Sequence, residues 1–241
     1  DVDRAALVDS EGKSLNRNEL IALISTVILE EHPGSVIVTD SITSVGLKWF
    51  IEDHLGGKHH RFQRGYKNVI NEAMRLNKEG RESWLAIETS GHAALKENHF
   101  LDDGAFLVAK LLIQAARMKR QGKRLGDLVD PLPRPVEEGE FRLKIRSKEF
   151  AAYGSFVLEK LGNELKSQSD WHPETPNFEG LRISCTADEE KGWFLLRMSL
   201  HDPVMPLNIE SSANGGMDLI RQRLTELLSP CKHLDISALK S

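Results

Sequence analysis

Trp84-Leu85-Ala86-Ile87-Glu88-Thr89-Ser90-Gly91-His92 is the stretch that decides the fold. Four apolar residues run without a break and then give way to a polar, glycine-containing loop. That is the pattern of a strand covered on both faces, which is typical of a parallel sheet packed between helices. Upstream, residues 35–39 repeat the pattern as a second buried strand. Between the two, Ser44 to His54 reads as a helix closed by Gly56-Gly57, and Lys67 to Lys78 as another closed by Gly80. Further upstream, Leu20, Ile21, Leu23, Ile24, Val27 and Ile28 recur at helical spacing behind the capping candidates Asn16 and Asn18, and Pro33-Gly34 ends that run. Ala5 to Val8 reads as a short strand closed by the turn Asp9-Ser10-Glu11-Gly12. Downstream, Asp102-Asp103-Gly104 opens a long helix from Ala105 to Arg120. Alternating strands and helices predict an α/β protein whose first part is a layered αβα sheet domain.

The texture changes at Gly122. Pro131, Pro133, Pro135 and several acidic residues appear without usable periodicity, so residues 123–139 are read as a linker between domains at 1–122 and 140–241. The second domain reads as a smaller α+β unit. It has strands at Phe141 to Ile145, Leu181 to Cys185, Trp193 to Met198 and Met205 to Glu210, and helices at Phe150 to Leu165 and Met217 to Leu228. Short connections between the last three strands favour antiparallel pairing, hence a four-stranded antiparallel sheet with two helices.

The bulk numbers fit this reading. A chain of 241 residues is long enough for two cores, and 40% hydrophobic with 28% charged residues describes a globular protein. A net charge of -4 argues against binding to nucleic acid or to an anionic membrane surface, both of which reward a strongly basic face. No segment approaches the ~20 consecutive apolar residues of a membrane-spanning helix. The two cysteines, Cys185 and Cys231, have neither metal-ligand spacing nor a redox motif, which fits a soluble intracellular protein. The chain opens on Asp1 with no initiator methionine or signal-like segment, so it is expected to be a piece of a longer protein.

Three loops carry candidate chemistry. In Glu88-Thr89-Ser90-Gly91-His92, just past the carboxyl end of a strand, a carboxylate and a hydroxyl on alternate residues can grip neighbouring sugar hydroxyls. Gly91 permits close backbone approach, and His92 suits proton transfer near neutral pH. A polar exit from a strand with a surface histidine fits the same residues equally well. In Asp1-Val2-Asp3-Arg4, two carboxylates one residue apart can converge on a hard cation and Arg4 can fork onto a phosphate, although a solvated acidic terminus reads the same way. In Arg197-Met198-Ser199-Leu200-His201-Asp202-Pro203, an arginine and a serine ahead of a turn can form an anion nest, although an ordinary hairpin connection without a ligand reads the same way. The cluster His59, His60, Arg61, Arg64 and Lys67 is read as a solvated loop and helix start. Gly215-Gly216 lacks the context of a dinucleotide loop.

In this order and separation the three loops resemble the α-D-phosphohexomutase family (phosphoglucomutase, phosphomannomutase, phosphoglucosamine mutase), across its third and fourth domains. Asp1-Val2-Asp3-Arg4 resembles the tail of the family's Asp-Gly-Asp-x-Asp-Arg metal loop, which implies Asp1 and Asp3 as Mg²⁺ ligands and Arg4 as a catalytic neighbour. Glu88, Ser90, Gly91 and His92 match the family's Glu-x-Ser-Gly-His sugar loop, which implies substrate binding by the first three and proton transfer by His92. Arg197, Ser199, His201 and Asp202 fall in a loop similar to the family's phosphate loop, commonly Arg-Pro-Ser-Gly-Thr-Glu-Pro. Here Leu200 replaces a usual glycine, His201 a threonine, and Asn208 a second arginine. Phe62 and Gln63 replace a usual threonine and lysine. The segments around Arg64 to Asn68 and Ser199 to Pro203 are similar to a divergent plant plastid branch of the family, so the implied compartment is cytoplasm or plastid stroma.

The resemblance implies a Mg²⁺-dependent interconversion of hexose 1-phosphate and 6-phosphate through a bisphosphate, with a hexose phosphate as substrate. The phosphoserine that carries the phosphoryl group belongs to missing N-terminal domains of the same protein, so this chain alone is expected to be inactive. The altered phosphate loop keeps open a second reading, a mutase-like protein that binds a sugar phosphate or a partner without catalysis.

Overall fold

A computed structural model describes residues 3–199 and 202–240. The chain forms two compact units, Asp1–Pro133 and Arg134–Ser241.

The first unit is built on strands β1 (Val36–Asp40), β2 (Lys58–Phe62), β3 (Ser83–Ile87) and β4 (Ala93–Leu95), in the order β2-β1-β3-β4. β1 runs parallel to both neighbours, and β4 returns antiparallel beside β3. Alternation along the strands sends Ile37, Leu85 and Ile87 to one face and Val36, Val38 and Ala86 to the other. Helices α1 (Asn18–Glu31), α2 (Val45–Trp49) and α4 (Gly104–Arg120) bury Leu20, Ile24, Leu47, Leu107 and Leu111 with the first set. Helix α3 (Tyr66–Lys78) covers the second with Val69, Ala73 and Leu76. These are the three layers expected from uninterrupted apolar strands.

Four local expectations need correction. Residues 5–8 form no strand: isolated bridges tie Arg4 to His92 and Val8 to Ser14, and the Leu7 N–H is taken by the Asn16 side chain. Asn16 and Asn18 do not cap α1. Arg17 holds that position at φ 56°, while Asn18 Oδ1 instead accepts the Ser44 N–H across the fold. The helix expected from Ser44 to His54 begins with Ser44 as its cap and then widens into a π-helical turn at Phe50–His54. Of the basic cluster, Lys67 lies in the first turn of α3 as expected, but His59, His60 and Arg61 belong to the edge strand β2, with His60 buried and bonded to Glu72 at 2.8 Å. Its run of polar residues hides the strand because a partner carboxylate, rather than an apolar pattern, satisfies the inward side chain.

The second unit carries β5 (Glu137–Ile145), α5 (Phe150–Glu164), β6 (Trp171–Pro173), β7 (Leu181–Cys185), β8 (Gly192–Leu196), β9 (Val204–Ser211), α6 (Gly216–Leu228) and β10 (Leu234–Asp235). The sheet is antiparallel throughout, in the order β10-β5-β9-β8-β7-β6. The four expected strands are its centre. Two short edge strands, of three and two residues, bring it to six, and they are too brief to show a period. One face packs Leu143, Ile183, Phe194, Leu196, Leu207 and Ile209 against Val157 and Leu161 of α5 and Ile220 and Leu224 of α6.

The expected linker is shorter than 123–139. Leu125, Leu128, Val129 and Leu132 pack into the first unit's core around a 3₁₀ turn, and β5 already starts at Glu137. Glu137 looked like part of an acidic linker, yet its carboxylate accepts the Gly215 and Met217 N–H groups at the start of α6. No helix among the described residues is long and apolar enough to cross a membrane.

Candidate functional site

The loop 88–92 lies between β3 and β4, at the carboxyl ends of the parallel strands, where α/β sheets form their ligand crevices. Its backbone is held on both sides. Glu88 N–H donates to the His92 carbonyl at 2.9 Å, and Gly91 N–H to the Glu88 carbonyl at 3.0 Å. From the N-terminal segment, Ala5 N–H donates to the Gly91 carbonyl at 3.0 Å. Gly91 sits at φ +94°, and any Cβ there would collide with the Ala5 carbonyl oxygen. Glycine is therefore required twice, for its dihedral and for the close approach of residues 4–5. The same segment runs over the start of α4, where a Cβ on Gly104 would lie 2.7 Å from the Arg4 carbonyl carbon.

The side chains are wired as firmly. Glu88 is buried, and its Oε1 accepts the Gly65 N–H at 2.6 Å while Oε2 accepts the Ser90 hydroxyl at 3.1 Å. Thr89 turns the other way and donates its hydroxyl to Asp40 Oδ2 at 2.7 Å and its N–H to Asp40 Oδ1 at 3.3 Å. Burial raises the Asp40 carboxyl from 3.8 to about 6, against the pull of the Thr89 hydroxyl bond. Ser90 is the exposed member of the loop.

His92 and Asp102 form a pair, Nδ1 to Oδ2 at 2.8 Å. Tyr66 stacks on the imidazole with centroids 4.9 Å apart and planes within 19°. Burial pushes the Asp102 carboxyl up, with the His92 hydrogen bond pulling it back. Beside them lies Asp3. Asp3, His92 and Asp102 each offer one ligand atom, all within 4.8 Å of one another. Asp3 Oδ1 and Asp102 Oδ1 are buried without a hydrogen-bond partner. Two such oxygens in one corner are poorly solvated, and a hard cation would neutralise that charge. Arg4, paired by its backbone with His92, places its residue at the same corner. Asp1 lies outside the described residues.

In the second unit Arg197 is buried at the end of β8, with Nη1 3.7 Å from Glu179 Oε1. The following turn is closed by its own groups: Ser199 N–H to the Val204 carbonyl at 2.9 Å, and Asp202 N–H to Ser199 Oγ at 3.3 Å. The Asp202 side chain is exposed, with Arg142 at 4.0 Å. His201 and Leu200 lie outside the described residues. Asn208, where a second arginine was expected from the resemblance, is buried with Nδ2 3.4 Å from Glu140 Oε2.

Sequence reasoning placed Asp3, Arg4, Glu88, Ser90, Gly91 and His92, and the structure gathers all six around one corner of the first unit. It missed the supports: Asp40, Gly65, Tyr66 and Asp102. Asp40 ends a buried strand and Asp102 stands beside the aspartate that caps α4, Asp103, which accepts the Phe106 N–H at 2.9 Å, and neither carries a local signal of its partner.

The family description "Phosphoglucomutase/phosphomannomutase, alpha/beta/alpha domain III" matches residues 16–136. A phosphomannomutase/phosphoglucomutase of Pseudomonas syringae pv. tomato is 26% identical over 224 residues, covering 92% of this chain and 43% of that protein. Among solved structures, a phosphoglucomutase/phosphomannomutase family protein of Burkholderia thailandensis superposes with a TM-score of 0.75 at 25% identity, over 96% of this chain and 45% of its own. An Aspergillus fumigatus N-acetylphosphoglucosamine mutase, solved in complex with GlcNAc-6P and magnesium, shares the fold at a TM-score of 0.56 and 12% identity, over 95% of this chain and 50% of its own. The chain thus spans about half the length of the relatives it matches or less. By the match over residues 16–136, which is half of the sequence, the chain belongs to the phosphoglucomutase/phosphomannomutase family.

Proposed function

We propose that this chain is the third- and fourth-domain half of a Mg²⁺-dependent phosphohexomutase, which interconverts hexose 1-phosphate and 6-phosphate through a bisphosphate. The observation that carries the reading is the pre-set loop at residues 88–92, in which Glu88 is fixed by the Gly65 N–H, Ser90 is exposed, and His92 is paired with Asp102. Glu88 and Ser90 accept and donate hydrogen bonds to neighbouring sugar hydroxyls. His92 takes the proton of the attacking hydroxyl as its oxygen bonds to phosphorus and the P–O bond to the donor serine breaks. The proton returns when the phosphoryl group goes back. Asp1 and Asp3 would hold the metal, and the buried, unpartnered Asp3 Oδ1 suits a hard cation. Bound Mg²⁺ supplies charge neutralisation on the transferring phosphoryl group. Arg197, Ser199 and His201 hold the remote phosphate, with Asp202 in the same loop. The donor serine comes from domains outside these 241 residues, so the isolated chain turns nothing over.

The test is an assay of the full-length protein on the 1- and 6-phosphates of glucose, mannose and glucosamine, with and without Mg²⁺. Turnover that EDTA abolishes supports the reading. A second reading, sugar-phosphate binding without catalysis, is favoured by Asn208, which stands where the family usually has an arginine for phosphate and lies beside the Glu140 carboxylate. Silence on every sugar together with measurable binding selects that reading, and robust turnover removes it.

A further inference from the structure

We propose that Asp102 is the positioning residue for His92, holding the imidazole in its Nδ1–H tautomer while Tyr66 fixes the plane of the ring, so that Nε2 is the nitrogen that carries the proton traffic. This inference rests on the role given to His92 above. A neutral imidazole donates from one nitrogen and accepts at the other, and the bond made by one nitrogen sets the state of its partner. At 2.8 Å from Nδ1, a carboxylate oxygen selects Nδ1–H and leaves the lone pair on Nε2.

Both partners are mounted on rigid backbone. His92 is bridged to Arg4, and its carbonyl takes the Glu88 N–H. Asp102 is bridged to Ala94, and the next residue donates its N–H to the Ala93 carbonyl at 3.0 Å. Asp102 is also spare for architecture, since Asp103 caps α4 and bonds the Asn98 side chain at 3.0 Å. Of the two adjacent aspartates, one builds the helix and the other is aimed at the histidine. Tyr66, at the start of α3, lies against the imidazole from the segment whose Gly65 N–H holds Glu88, so one loop steadies both groups.

The test is the two-bond ¹H–¹⁵N spectrum of the histidine rings in this chain, recorded where the ring is neutral and assigned by loss of a signal in His92→Gln. His92 should show the Nδ1–H pattern, shift toward Nε2–H in Asp102→Ala, which leaves Nδ1 without its acceptor, and regain Nδ1–H in Asp102→Glu. In the full-length protein Asp102→Ala should lower kcat by about 10- to 100-fold with KM nearly unchanged. An Nε2–H pattern in the wild-type chain overturns the proposal, and this measurement needs no variant to fold. So does an Asp102→Ala protein with an unchanged tautomer or an unchanged kcat. If the tautomer switches in a protein that turns over no hexose phosphate, the pairing stands and the mutase reading falls. If turnover is robust and the tautomer ignores Asp102, the reverse holds.

Discussion

The loop at 88–92 and the loop at 197–203 resemble the same family equally in position, yet they are built differently. In the first, Glu88, Thr89, Gly91 and His92 are each bonded to residues distant in sequence: Gly65, Asp40, Ala5 and Asp102. In the second, the described groups bond within their own hairpin: Arg197 N–H to the Pro206 carbonyl, Ser199 N–H to the Val204 carbonyl and Asp202 N–H to Ser199 Oγ. A group held from several elements keeps its geometry before a ligand arrives. The difference teaches that residues 88–92 form a pre-organised loop. The sequence departures from the family pattern, at Phe62, Gln63, Leu200, His201 and Asn208, spare residues 88–92.

Four measurements break or sharpen that contrast. The largest effect is expected from Gly91→Ala, which forces a Cβ onto the Ala5 carbonyl at φ +94°. It should lower the unfolding free energy of the first unit by about 2–4 kcal/mol in a denaturant titration, and a loss below about 0.5 kcal/mol would remove the claim of a rigid loop.

Next is the pH dependence set by Asp40. Its folded carboxyl titrates at about 6 against 3.8 when unfolded, so between those values the folded state binds more protons. Stability from this group is complete below pH 3.8 and is lost as pH rises through 6, by on the order of 3 kcal/mol. Asp40→Asn should flatten that part of the curve, and a variant that keeps the wild-type slope places the titration elsewhere.

Glu88→Gln removes the carboxylate that accepts the Gly65 N–H at 2.6 Å and is expected to cut kcat/KM of the full-length protein about tenfold. The smallest effect belongs to Ser199→Ala, which should raise KM about two- to fivefold and leave stability within about 0.5 kcal/mol. If Ser199→Ala costs more than Glu88→Gln, the ranking of the two loops is reversed.

Much of the fold was legible because its signals are local. The uninterrupted apolar run at 84–87 and its polar exit announced a parallel core strand, and the long helix expected behind Asp102-Asp103-Gly104 is α4. Strand β2 was not legible, because Lys58-His59-His60-Arg61-Phe62 is satisfied by Glu72, Thr39 and neighbouring strands rather than by apolar alternation. The same holds for the supporting residues of the site. Nothing local distinguishes Asp102 from Asp103, or Asp40 from any carboxylate that ends a strand.

Taken by itself, the sequence determined the buried strands and amphipathic helices of both units and which residue types sit in each loop. All of these follow from periodicity, dihedral preference and covalent order. Only the tertiary structure decided that the Ala5 carbonyl runs against Gly91, that Asp102 rather than Asp103 meets His92, and that Gly65 holds Glu88. Those pairings join residues separated by between 10 and 86 positions. Their strength depends on burial and on hydrogen-bond distance, quantities that exist only once the chain has closed around them.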